Sequence, residues 1–321
     1  MQAQTQDFPV HPAARFWPIK PGRIEPAAGV KGFSILNLKV WAANPKQLEH
    51  RLTILAEIGD SVIEVVTASE PLYFGHVNYS DEFNLVYPLG LAPLDGIFVQ
   101  TYLMDPDTGA SLGHYESSVG DIVVHPVGIC HWPGYMPNTE KFRPPRAEMR
   151  MRILSMVYCA KGPVKYNDSA QPNKLGKLDW APVEMHPDFA NLKLRVPGGK
   201  FTDERALARA GVIALPLLMA DRNRREDDPV AVARVGETRW DLIVSAGGPK
   251  KAFVSDEKSY VITYHGSPRL ELLGPGDATV GKAQMESADM VEIPAGHGFR
   301  ITGTESGKRG ALLWFRKDPG Q

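Results

Sequence analysis

The chain has 321 residues, a formal net charge of −1, 43% hydrophobic and 23% charged residues. A balance this even lacks the basic stripe of a nucleic-acid surface, and no apolar run approaches the ~20 residues that a membrane helix needs. Two cysteines, Cys130 and Cys159, cannot make a disulfide framework for this length. With a start that lacks the basic and apolar parts of a signal peptide, they set the expectation of a cytoplasmic protein.

Residues 1–22 read as an extended arm punctuated by proline. The spacing of Leu48, Leu52, Leu55 and Ile58, with Pro45 near the start and Gly59 as a stop, predicts a helix over 44–59. Short β-rich runs follow at 61–67, 83–87, 97–104, 121–125 and 150–158, bounded by Gly, Pro, Asn and Asp. His114, in "LGHYESS", is expected in a loop. Between 161 and 199 the pattern fades into polar sequence rich in proline and glycine, the natural place for a linker. A second helix is expected over 202–221, kinked or ended by Pro216. Further β-rich runs occupy 240–245, 259–265, 290–293 and 310–315. "RNRRE" at 222–226 is followed by Asp227 and Asp228, a self-compensating charged face. The division expected is an arm and first domain over 1–165, a linker over 166–200, and a second domain over 201–321.

The two halves share a motif. "VGDIVVHPVGICHWPGY" (119–135) and "SADMVEIPAGHGFRITG" (287–303) align Asp121 with Asp289, Pro126 with Pro294, Gly128 with Gly296 and His131 with Phe299. Each is an apolar strand, then a turn in which proline fixes φ and glycine supplies freedom. An internal duplication is the expectation.

Upstream, "FGHVNYSDEF" (74–83) sets His76, Asn78 and Glu82 close together. Alternation along a strand puts His76 and Asn78 on one face, and a turn through "YSD" can return Glu82 to it. Two imidazoles and one carboxylate form a facial triad that leaves coordination positions open. Taken singly, His76 reads as an ordinary polar residue beside a strand. The second motif is what joins His76, Glu82 and His131 into one site. Together "HVNYSDE" and "GDIVVHPVGICH" resemble the two motifs of the cupin superfamily, double-sheet jelly rolls with a metal inside the barrel. The resemblance implies an all-β fold of two tandem barrels (double-stranded β-helices) with a few short helices, and His76, Glu82 and His131 as ligands. Asn78 stands where the general pattern has a second histidine. The spacing H-x-N-x-x-x-E is similar to the metal motif of homogentisate 1,2-dioxygenase-like enzymes, which implies ferrous iron and an aromatic, acidic substrate.

Candidates for holding water or substrate beside such a metal are Asn78, Tyr102, His125, Trp132, Tyr135 and Arg152. Arg150 and Arg152 share a strand face; turned inward, either needs an anionic partner such as a substrate carboxylate. The second half has Phe299 at the histidine position and is expected to be a degenerate barrel kept for packing and dimer contacts. The leading expectation is a homo-oligomeric Fe(II) dioxygenase that takes a small molecule and dioxygen. Alternatives are an isomerase, lyase or hydrolase using Zn, Mn or Ni as a Lewis acid, or a binding module without catalysis.

Overall fold

The computed structural model describes residues 15–16, 33–43, 52–59, 61–68, 76–78, 82–85, 97–104, 111–117, 120–125, 130–137, 151–158, 166–168, 211–213, 215–220, 226–235, 237–247, 251–305 and 308–318. They belong to two compact units. One comprises residues 1–21, 51–53 and 64–214; the other comprises 22–50, 54–63 and 215–321.

The first elements are β1 (Arg15–Phe16), β2 (Ser34–Asn37), α1 (Leu38–Ala43), β3 (Leu52–Ile58), β4 (Ser61–Ala68), β5 (His76–Asn78) and β6 (Glu82–Leu85). Then come β7 (Ile97–Met104), β8 (Ser111–Ser117), β9 (Ile122–His125), β10 (Cys130–Pro137), β11 (Met151–Tyr158) and β12 (Tyr166–Asp168). The second series opens with β13 (Gly211–Ile213), α2 (Leu215–Ala220), β14 (Val230–Val235), β15 (Thr238–Ser245), β16 (Ala252–Ser255) and β17 (Ser259–His265). It closes with β18 (Arg269–Leu273), β19 (Thr279–Gln284), β20 (Asp289–Ile293), β21 (His297–Gly303) and β22 (Gly310–Lys317).

Sheet order exposes the duplication. One sheet runs β13-β9-β6-β11-β4-β3 and its counterpart runs β2-β20-β17-β22-β15-β14. The companion sheets contain β5-β10-β7-β8 and β16-β21-β18-β19. Strands β3 to β11 therefore repeat as β14 to β22, each set building two facing antiparallel sheets, the architecture of a jelly roll. The pattern extends upstream, since β2 and α1 precede the first set as β13 and α2 precede the second. These leading strands are exchanged: β2 pairs with β20, Ile35 opposite Val291, and β13 pairs with β9, Val212 opposite Val123.

Two helical expectations give way. Residues 52–58 form a strand, in which Ala56 and Ile58 are buried and Glu57 is exposed. Gly59, at φ 55°, leads from it towards β4. The leucine spacing has a helical period, and pairing in a sheet overrides it, with Ala56 and Ile58 on the buried face. Likewise 211–213 is a strand, and the helix starts at Leu215. Pro216 sits in its first turn, where a missing N–H costs nothing, so the proline begins this helix rather than ending it. His114 lies in β8, opposite Tyr102, and not in a loop.

Within the second unit, a core of Ile243, Phe253, Val261, Leu272, Val291, Phe299, Leu312 and Trp314 fills the space between the sheets. The other face of the larger sheet is also covered: Trp240, Leu242, Leu313 and Phe315 are all buried, so β15 is buried along nearly its whole length rather than on alternate residues. β19, at the edge of the smaller sheet, is mostly exposed and carries Lys282. The turn from β20 to β21 is closed by His297 N–H donating to Pro294 O at 3.1 Å, with Gly296 at φ 69°. A positive φ at the third residue of such a turn is what glycine permits.

Candidate metal centre

Backbone register brings two of the three expected ligand positions together. β5 pairs antiparallel with β10, and His76 is directly opposite His131, Val77 opposite Cys130. Opposed residues of an antiparallel ladder share one face of the sheet, so the two histidine positions form a single rung. Asn78 lies two residues from His76 on β5 and is opposite Tyr166 of β12. Glu82 begins β6 in the facing sheet, where it is opposite His125 on one side and Val157 on the other. His125 thus occupies the rung of the carboxylate.

The remaining candidates divide by rung. Tyr102 is opposite Trp132, and Leu103 is opposite His131, so Tyr102 and Trp132 fall on the alternate face from the histidine position. Tyr135, opposite Val99, returns to the face of His131. Arg152 falls in the row of Leu154 and Met156, which oppose Leu85 and Phe83, one residue out of phase with Glu82. Arg150 lies outside the described residues.

The second barrel supplies a residue-by-residue comparison. Phe299 is opposite Phe253, Gly298 opposite Val254 and Ser255 opposite His297. Ser259 is opposite Ile293, just before Pro294, as Glu82 is opposite His125, just before Pro126. Hence Phe253, Ser255, Ser259 and Phe299 are the equivalents of His76, Asn78, Glu82 and His131, and the first three keep the spacing of the first motif. The shared spacing of "HVNYSDE" and "FVSDEKS" was the sequence signal for this, although it carries no chemical similarity.

These residues suit different contents. Phe253 and Phe299 stack with ring centroids 4.9 Å apart, and Trp314 meets them edge-on at 5.9 and 5.6 Å. Trp314 Nε1 donates to Ser259 Oγ at 3.2 Å, so the polar end of the cluster is satisfied. Three rings and a hydroxyl provide no set of metal donors, whereas the first barrel offers two imidazoles and a carboxylate at the same positions. Among the residues whose side chains are described, which do not include His76, Glu82 and His131, no group of three His, Cys, Asp or Glu is placed to hold a metal.

No family model matches the chain, and no curated protein does. Among solved structures, it resembles Lactobacillus farciminis oxalate decarboxylase in a formate complex. The identity is 10%, over 94% of this chain and 89% of that one, with a TM-score of 0.51. A deletion mutant of Bacillus subtilis oxalate decarboxylase aligns at 9% identity over 81% of this chain and 69% of that one, TM-score 0.47. A structure of the same enzyme concerned with its Mn(II) centres aligns at 9% over 82% and 70%, TM-score 0.46. At such identities the likeness speaks for the fold, and with the strand order it defines an all-β protein of two cupin barrels in tandem.

Proposed function

We propose that the chain is a metal-dependent cupin enzyme whose first barrel acts on a small carboxylate-bearing substrate, with His76, Glu82 and His131 as the metal ligands. The observation that carries this reading is the rung joining His76 to His131, set against the phenylalanine rung at the same place in the second barrel. A divalent metal held there would supply Lewis acidity to a coordinated carboxylate or carbonyl oxygen. Neutral imidazoles at His76 and His131 leave most of the metal charge available, and Glu82 offsets part of it. His125, on the rung of Glu82, would orient that carboxylate. Asn78, beside His76, would offer an amide to a water or to a substrate oxygen. The second barrel, with Phe253, Ser259 and Phe299 at the equivalent positions, would hold no metal there.

Redox-neutral chemistry, as in a lyase, leads, with Mn, Zn or Ni as the metal; it agrees with the fold-level likeness to oxalate decarboxylase. The H-x-N-x-x-x-E spacing supports a second reading, an Fe(II) dioxygenase acting on an aromatic acid. Elemental analysis of the full chain and of Glu82→Ala and His131→Ala tests the site: about one metal in the parent, lost in both folded variants. A folded parent free of metal would favour the non-catalytic binding module. Oxygen uptake decides the class: consumption with catechols or hydroquinones establishes the dioxygenase, and turnover of small carboxylates without consumption establishes the lyase.

A further inference from the structure

Around Ser259, the counterpart of Glu82, the second barrel gathers positive charge. Arg316 of β22 is opposite Arg239 of β15, two rungs beyond the pair Asp241–Trp314. Tyr260 is opposite Phe315, which puts Arg316 beside Ser259 at the end of the ladder. Trp314 and Ile243 belong to the interior core, so Arg316, Asp241 and Arg239, at steps of two residues, lie on the interior face as well.

The cluster has an uneven charge count. Asp241 is fully buried and both its oxygens are taken: Arg239 Nε donates to Oδ1 at 2.7 Å and Arg316 Nε to Oδ2 at 2.9 Å. One carboxylate between two guanidiniums leaves a net charge of +1. Each arginine spends its Nε on this contact, and among the described residues its η nitrogens have no protein acceptor. The side chains keep solvent access, 29% for Arg239 and 17% for Arg316. The Arg316 guanidinium lies over the Trp314 ring, 4.4 Å from its centroid, a cation–π contact.

We propose that Arg239 and Arg316 form a seat for the carboxylate of a small organic acid, so that the level that would hold a cation in the first barrel holds an anion in the second. Two guanidiniums pinned through Nε present their η nitrogens as a preorganised fork, the geometry that carboxylates accept bidentately. This assignment stands on residues of the second unit alone and does not depend on the metal centre.

The test is titration of the full-length protein with benzoate, against chloride at equal ionic strength, following the Nε–H signals of arginine by NMR and the melting temperature. Saturable shifts of Arg239 and Arg316, retained in His131→Ala, are expected. Arg316→Gln should weaken binding about tenfold or more. Arg316→Lys, which keeps the charge and the partner of Asp241 but not the fork, should also weaken it while remaining folded. Benzoate binding that survives both Arg316 variants, or that disappears in His131→Ala alone, overturns the proposal; the latter result would place the carboxylate at the first-barrel metal. A response no larger than that to chloride overturns it too.

Discussion

Asp227 shows how a single buried carboxyl sets a pH dependence. It is 7% exposed, sits at φ 60°, and its N–H donates to Val244 O at 3.0 Å. Burial pushes its pKa up; a hydrogen bond with Ser245 opposes this, and the neighbouring Glu226 and Asp228 add to it. A raised folded pKa means that the stability contributed is full below the ordinary carboxylate value and is lost as pH rises through the folded one. Asn tolerates the same positive φ. Asp227→Asn should therefore melt at or above the parent temperature at pH 7, the difference closing below about pH 4, where both states of the parent are protonated. Tyr260 obeys the same sign: burial and then the Glu292 carboxylate, 3.0 Å from its hydroxyl, raise it far above the usual phenol range. Its contribution should persist through neutral pH and fail only in strong alkali. In the second-barrel interior, Phe299 is fully buried within the ring cluster. Phe299→Ala should cost about 3–5 kcal/mol in denaturant unfolding, whereas His131→Ala, at the equivalent position, should change metal content instead.

Among the elements, the β16–β21 ladder depends on one small residue. Gly298 is opposite Val254, and a Cβ there would run into the carbonyl oxygen of Phe253. Gly298→Ala should lower the melting temperature by prising the two strands apart, even though its backbone does not require glycine's conformational freedom. A variant melting with the parent would show that the pair can spread without loss. The equivalent rung of the first barrel has Cys130 opposite Val77. Strands announced by dense β-branched and aromatic runs, such as β7, β15 and β17, were legible in the sequence. β16, β18 and β21 were not, because glycine, charge and short length dilute their alternation and pairing alone holds them extended. For β3, local periodicity favoured the wrong element, and the sheet overruled it.

At the scale of the molecule, the exchanged strands bind the fate of each barrel to the other repeat. β13 precedes the second strand series yet completes the sheet of β9, and β2 precedes the first yet completes that of β20. Cutting the chain after residue 200 removes β13 from the first unit and β2 from the second. Each piece should then lack a cooperative calorimetric transition by itself, and mixing the two should restore one. Either piece melting alone at the temperature of the intact chain would show that the exchanged strand is dispensable.

The sequence by itself determined the chemistry on offer: β-rich segments, a turn motif used twice, and His76, Asn78 and Glu82 within seven residues, with His131 after the second motif. Those are local facts, set by side-chain type and by spacing along one strand or turn. Which histidines share a rung, that Phe253 and Ser259 stand where His76 and Glu82 do, and that the leading strands change places were decided only by tertiary pairing. Register between strands far apart in the chain is fixed by the burial of whole sheet faces, and no single segment contains that information.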